Sequence, residues 1–483
     1  MSTNVGELPN IIMVVMDTAR RDRFGCHDYH RPTTPTVDSL ARSGLKLDNM
    51  IANAPYTLPS HASLFTGLYP SQHGSQWQTG PRLREQVQVT MAEWFKSLGY
   101  ETICATSNGL ISDRTRLTRG FDRYAARLDL ERGWRRTARR TRKVLFGGDS
   151  GGHTINWWLR RQMREVTRPF FLFVNYLECH WSYAPPGKFE KRMGGPRFSY
   201  LEGLNYRART ADAVGPWEAI ARADDRTLDV YSTLYDGELA NVDSHLATLL
   251  DILERANHLE NGRSVVMVTS DHGEHLGEHG LADHHASLDD LLLRVPFVTW
   301  GPGVIPNTTK HGLYEFVDVF PSLTRMLGRD VPVEELSGRR TDIFAANGKQ
   351  STSGVPAKNG SQAANGDYAF AEWRCWTPHE QMRLARRNPS YDFTGLARDL
   401  LSVRDNRYKL VRSSLGTNEL FDLDADPSES TDIASSLPDV VSRLGGRLDE
   451  AVDSWAEWDR EQTPLSEADK LEIEKRLADL GYI

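Results

Sequence analysis

Cysteine is scarce in this 483-residue chain: there are four (Cys26, Cys104, Cys179, Cys375), and none stands in a CxxC pair. That excludes a disulfide framework and a thiolate zinc motif, and it predicts free thiols, with Cys104 buried in a strand. Long apolar runs are also missing. No stretch approaches the roughly 20 residues that a membrane-spanning helix needs. The first ten residues, MSTNVGELPN, have neither a basic segment nor an apolar core, so no secretory signal is expected and the setting is expected to be cytoplasmic. Positive charge is not in excess. A net charge of −7 argues against general nucleic-acid binding. Internal repeats are absent. What remains is a globular composition with enough apolar residues for large cores, in a chain too long for one ordinary domain.

Short apolar runs alternate with amphipathic stretches up to about residue 344. Residues 11–16, 102–105, 170–174, 265–269 and 295–300 read as buried strands, and 90–98 and 231–253 as helices. This alternation predicts an α/β fold with a mostly parallel sheet between helices. Residues 345–367, rich in Gly, Ser, Asn and Ala, cannot bury a core and read as a flexible linker. Beyond them, LLSVRDNRYKLVRS and NELFDLDADPSES read as two strands of a small antiparallel sheet, followed by charged helix from about Leu437. The expected organisation is a catalytic domain over 1–344, a linker over 345–367 and a smaller α+β unit over 368–483. The segment from Arg132 to Lys143, RGWRRTARRTRK, presents arginine on nearly every face of a helix. It reads as a solvated surface helix, or as a patch for an anionic substrate or a peripheral membrane contact. Trp134, Trp157 and Trp158 nearby make a carbohydrate or lipid contact conceivable.

Two apolar runs end in acids. NIIMVVMDT ends in Asp17, and SVVMVTSDHGEH delivers Asp271 and His272. In open α/β sheets the chemistry lies beyond the carboxyl ends of the strands. Two strands that each deliver a carboxylate to one edge predict a divalent metal site between them.

These segments combine with YTLPSHASLFTGLYPSQHG (56–74), NYLECHWSYAPP (175–186) and HHASLDDLLLRVP (284–296). Later markers are VDVFPSLTRMLG, LSGRRTDIF and NELFDLDADPSE. In order and content the chain resembles the sulfatase family of the alkaline phosphatase superfamily over nearly its whole length. The resemblance implies a large α/β domain carrying the site and a smaller C-terminal domain on an antiparallel sheet. It also implies a metal held by acids of the first strand and by the Asp271–His272 pair, with a nucleophile at the start of a helix.

The chain departs from the family pattern at that nucleophile. Sulfatases carry Cys or Ser at the head of C/S-x-P-S-R, and this residue becomes formylglycine. Here the head of Thr57-Leu58-Pro59-Ser60-His61 is threonine, whose β-methyl blocks that conversion. His61 replaces the motif's arginine and Thr18 the second N-terminal aspartate. One family lysine falls near Ser107 and Asn108, and the lysine before RVP is replaced by His284 or His285. Superfamily branches that act on phosphorus use a plain threonine. The resemblance therefore implies metal ligands Asp17, Thr57, Asp271 and His272, with Thr57, His61, His180 and His284 as catalytic candidates. The expected cofactor is one divalent ion (Mn²⁺, Zn²⁺, Mg²⁺ or Ca²⁺), and the expected substrate an anionic sulfate or phosphate ester, carbohydrate- or lipid-linked substrates included. Bland readings stand beside these: Thr57 as a helix cap, His61 and His284 as packing histidines. A transferase of glycan biosynthesis and a non-catalytic binder of an anionic ligand are the competing functions.

Overall fold

The computed structural model describes residues 8–76, 80–130, 147–194, 202–206, 215–329, 342–344 and 368–456. The basic segment 132–143 and the linker 345–367 lie outside them. β1 (Asn10–Met16) is buried along its whole length. Its alternate residues enter two different cores, Ile11, Met13 and Val15 on one face and Ile12, Val14 and Met16 on the other. A strand covered on both faces needs a continuous apolar run, and β1 has one.

The other strands of the large sheet are β2 (Leu45–Ile51), β3 (Glu101–Thr106), β4 (Arg123–Ala126), β5 (Phe170–Tyr176), β6 (Ser264–Thr269), β9 (Arg294–Trp300) and β10 (Thr308–Glu315), with a two-residue ribbon of β7 (His275–Leu276) and β8 (Ala282–Asp283) after β6. The sheet runs β10-β2-β9-β6-β1-β5-β3-β4. β4, β3, β5, β1 and β6 pair in parallel, and β9 runs antiparallel to both of its neighbours. The mostly parallel sheet expected from the sequence is present, with β2 and β10 added to it. Among the described residues no helix is long and apolar enough to cross a membrane.

The small antiparallel sheet has four strands where the sequence suggests two: β11 (Ala369–Trp373), β12 (Leu400–Arg404), β13 (Tyr408–Ser413) and β14 (Asn418–Asp422). LLSVRDNRYKLVRS is itself a hairpin, because Asp405 Oδ1 accepts from Arg407 N and Tyr408 N at 2.8 and 2.7 Å and reverses the chain. One face of this sheet, with Trp373, Leu400 and Val411, joins the core of the large sheet. The other, with Val403, Leu410 and Leu420, packs Leu444 and Leu448 of the helix Pro438–Ala456.

Candidate active site

Parallel pairing sets the site. Asp17 N donates to Tyr176 O at 2.8 Å and Ser107 N to Asn175 O at 2.9 Å, so the ends of β1, β5 and β3 lie side by side. β6 flanks β1 on the other side and delivers Asp271 and His272. All four strands therefore deliver polar residues to one edge of an otherwise apolar sheet.

Asp17, Asp271 and His272 are fully buried and bring one ligand atom each within 4.8 Å of the others. The sides of each group facing away from this cluster are tied down. Asp17 Oδ2 accepts from Asn108 Nδ2 and Asn175 Nδ2, both at 2.9 Å. Asp271 Oδ1 accepts from Thr18 N at 3.1 Å, and Thr18 reaches it by adopting φ 57°. His272 Nδ1 donates to Gly273 O at 2.9 Å, which leaves Nε2 as a lone-pair donor. Asp17 Oδ1, Asp271 Oδ2 and His272 Nε2 have no hydrogen-bond partner among the described residues. Burial, and then the charge of Asp271, pushes the Asp17 carboxyl well above the ordinary carboxylate range. Burial pushes Asp271 the same way, but His272 and His61 outweigh it and hold it low. Two carboxylate oxygens and an imidazole nitrogen, buried and converging, fit a divalent ion and suit Mn²⁺ or Zn²⁺ better than an all-oxygen site would.

Thr57 opens the helix α2 (Thr57–Thr66), all of which is buried. The cap position belongs to Tyr56, and no side chain caps the helix. Thr57 Oγ1 instead lies 3.4 Å from Asn108 Nδ2, the amide that also holds Asp17. Ser60 Oγ donates to Asp271 O at 2.6 Å and clamps the first turn of the helix to the end of β6. His61 Nδ1 sits 2.9 Å from Thr57 O and 3.4 Å from Asp271 Oδ2, with its ring against Phe65 and Phe173. Burial holds this imidazole below its ordinary pKa, so it is neutral and braces the helix start against Asp271.

His180 and His284 complete the cluster. The His284 ring lies 4.3 Å from that of His272 and 5.4 Å from that of His180. His285 turns instead toward Tyr56, Trp373 and Trp376. His284, rather than His285, is thus the histidine that enters the site. Its Nδ1 is 2.7 Å from Asp283 Oδ1 and 3.2 Å from Glu274 Oε1. Burial opposes its charge, but the two acids prevail and hold the imidazolium well above its ordinary pKa. His180 is the opposite case. Burial, and then the charge of His284, pushes it down to about 3, and its Nδ1 lies 2.8 Å from Trp181 O. A small opening beside His180 is lined also by Trp181, Trp217, Asp283 and Arg387.

The metal and catalytic candidates Asp17, Thr57, His61, His180, Asp271, His272 and His284 lie together in this region, whereas Trp157 is exposed at the surface. The sequence reading missed Asn175, Glu274 and Asp283, and it placed Asn108 without a partner. Asn175 carried a signal, a polar residue closing the apolar run of β5.

Residues 9–329 match the family model described as Sulfatase. The chain is 22% identical to arylsulfatase K of Canis lupus familiaris over 91% of its own length and 82% of the relative's. Its fold is similar to that of a 2-O GAG sulfatase (TM-score 0.68, 18% identity, 93% of each chain). It is also similar to that of the phosphonate monoester hydrolase of Agrobacterium radiobacter (TM-score 0.64, 20% identity, 95% and 98% covered). The large mostly parallel sheet, the strand-end ligands and the extent of the family match agree, and the chain belongs to the sulfatase family.

Proposed function

We propose that this protein is a metal-dependent enzyme that cleaves a sulfuryl or phosphoryl ester, or passes the group to an acceptor, through an unmodified Thr57. One observation carries the reading. The Thr57 hydroxyl is buried at the start of α2, is not used as its cap, and is joined through Asn108 to Asp17. A divalent ion held by Asp17, Asp271 and His272, with Thr57, would acidify the hydroxyl and draw charge from the ester oxygens.

Thr57 Oγ1, its proton released to solvent, attacks the central atom in line with the ester bond; that bond breaks, the alcohol leaves with a proton from the His284 imidazolium, and a sulfo- or phosphothreonine forms. The N-terminus of α2 favours the negative charge gathered there. His284, kept charged by Asp283 and Glu274, stabilises the oxygens of the transferred group. His284, neutral after that transfer, takes the proton of the water or acceptor hydroxyl that releases the group, and His180, neutral and with Nδ1 directed to Trp181 O, orients that hydroxyl by accepting a hydrogen bond from it. The part-exposed Trp181 indole and Arg387 guanidinium beside His180 suit a sugar with anionic substituents, in keeping with the sulfated-sugar and phosphonate-ester chemistry of the structural neighbours.

The test is peptide mass spectrometry of Mn²⁺-loaded protein after brief exposure to aryl phosphate, phosphodiester and sulfate esters. A phospho or sulfo adduct on the peptide containing Thr57 is expected, and its mass names the group. Turnover with the adduct on another residue would overturn the assignment.

A further inference from the structure

Away from Thr57, a second set of ligand-type side chains converges. Asp149, Glu178 and His245 each place one donor atom within 4.8 Å of the others. Asp149 precedes the helix Gly152–Glu165, Glu178 follows β5, and His245 belongs to the helix Asp225–Arg255. Glu178 is 0% exposed and His245 7%. Glu178 Oε1 accepts from Gly152 N at 2.9 Å. Its Oε2 and His245 Nε2 have no hydrogen-bond partner among the described residues.

The spacing is informative. His245 Nε2 stands 3.7 Å from Glu178 Oε1, beyond hydrogen-bond range. Two ligands of one tetrahedral ion, each about 2.1 Å from it, lie about 3.4 Å apart. The imidazole is held in place from several sides. Tyr176 stacks on it at 5.9 Å, and Asn156 Nδ2 donates to His245 O at 3.0 Å while accepting from Tyr176 OH. A Cβ on Gly152 would lie 2.4 Å from the ring, so glycine is what lets the helix start approach it. Asp149 accepts from Gly151 N and is part-exposed, which gives the cluster a path to solvent. Burial pushes the Glu178 carboxyl above its ordinary range, His245 pulls against this, and Asp149 adds to it. A divalent cation would relieve both the buried Glu178 carboxylate and the unpartnered Glu178 Oε2 and His245 Nε2.

We propose that Asp149, Glu178 and His245 bind a second divalent transition-metal ion, separate from the Thr57 site. One nitrogen and carboxylate oxygens form a donor set for Zn²⁺ or Mn²⁺. Glu178 and His180 share the loop after β5, so the ion positions that loop between two helices and takes no part in the reaction.

The experiment is elemental analysis of the full chain, stripped by chelator and reloaded with Mn²⁺, Zn²⁺ or Co²⁺. Wild type is expected to hold two ions per chain. The D17N/D271N and E178Q/H245N variants are each expected to hold one. E178Q/H245N at the wild-type content would overturn the proposal. Should that variant fail to fold, D17N/D271N, whose second cluster is intact, still decides: a cobalt d–d band with one ion per chain supports the site, and no bound cobalt refutes it. Neither readout depends on Thr57 acting as nucleophile.

Discussion

Replacing Thr57 by valine, and separately by serine, divides chemistry from folding. Valine keeps the size and branching and deletes the hydroxyl. Serine keeps the hydroxyl and deletes a methyl. Among the described residues the hydroxyl meets only Asn108 Nδ2, at 3.4 Å. A bond that long is worth less than about 1 kcal/mol, so Thr57→Val should melt close to wild type. Serine loses one buried methyl, about 1 kcal/mol. Loss of a nucleophile removes on the order of 10⁴-fold or more from kcat, about 5.5 kcal/mol of transition-state stabilisation.

The assay is kcat/KM on aryl phosphate, phosphodiester and sulfate esters, with melting temperature and metal content measured on the same samples. Thr57→Ser is expected within about tenfold of wild type. Thr57→Val is expected at background, folded and still able to take up metal through Asp17, Asp271 and His272. Were Thr57 only a helix residue, the two variants would behave alike. Turnover by Thr57→Val above about a tenth of wild type would refute the reasoning.

The remaining predictions follow from buried charges. Mn²⁺ at a hundredfold the Kd of the Asp17–Asp271–His272 site should add about 2.7 kcal/mol through that site, and this share should vanish in Asp17→Asn and Asp271→Asn while the gain from the second cluster persists; an undiminished total gain in calorimetry would count against the ligand assignment. His73 is buried with Nδ1 accepting from Ser75 N at 3.1 Å, and burial followed by Arg84 holds its pKa down to about 3. In the unfolded chain it titrates near about 6.5, so its contribution is complete above that pH and falls away below it, by about 2 kcal/mol at pH 5. His73→Gln should flatten this dependence, and identical pH slopes for the two proteins in denaturant titrations would refute it. Lys409 is fully buried, with Nζ 2.8 Å from Leu288 O and 3.1 Å from Asp290 Oδ1, and it pairs with Glu429. Lys409→Met leaves Asp290 to Arg404 but strands the buried Glu429 carboxyl, and should destabilise by about 3 kcal/mol; a loss under about 1 kcal/mol in thermal melts would show that the cluster carries no such charge.

The sequence discloses what is buried on both faces and conceals what lies at edges. β1, β5 and β6 are nearly continuous apolar runs because helices cover both sides of the sheet, and their polar ends mark the site. β10, TTKHGLYE, is solvated over its first five residues at the sheet edge, and β2 mixes Lys46, Asp48 and Asn49 into its run, so neither stands out as a buried apolar run. The site follows the same logic. Asp17 and Asp271 are visible because each closes its own strand. Asn108 and Asn175 clamp Asp17 only because β5 pairs with β1 and β3 with β5, an order that no local pattern encodes. The choice between His284 and His285 is likewise made by backbone geometry, with Asp283 and Ala286 both at positive φ around them.

The geometry also weighs against a binding module that has abandoned catalysis. Three buried ligand atoms, Asp17 Oδ1, Asp271 Oδ2 and His272 Nε2, have no hydrogen-bond partner among the described residues. Each such atom costs about 1–3 kcal/mol, and a domain's net stability is only about 5–15 kcal/mol. An asparagine or an apolar residue at these positions would relieve that cost in a protein with no use for a cation. The departures from the family pattern are meanwhile built in rather than left as gaps. Thr18 donates its backbone N–H to Asp271, His61 braces Thr57 O, and His284 gains Asp283 and Glu274 as partners. Two inward-facing acids and an imidazole beside a buried threonine hydroxyl are what the proposed cation and nucleophile would require.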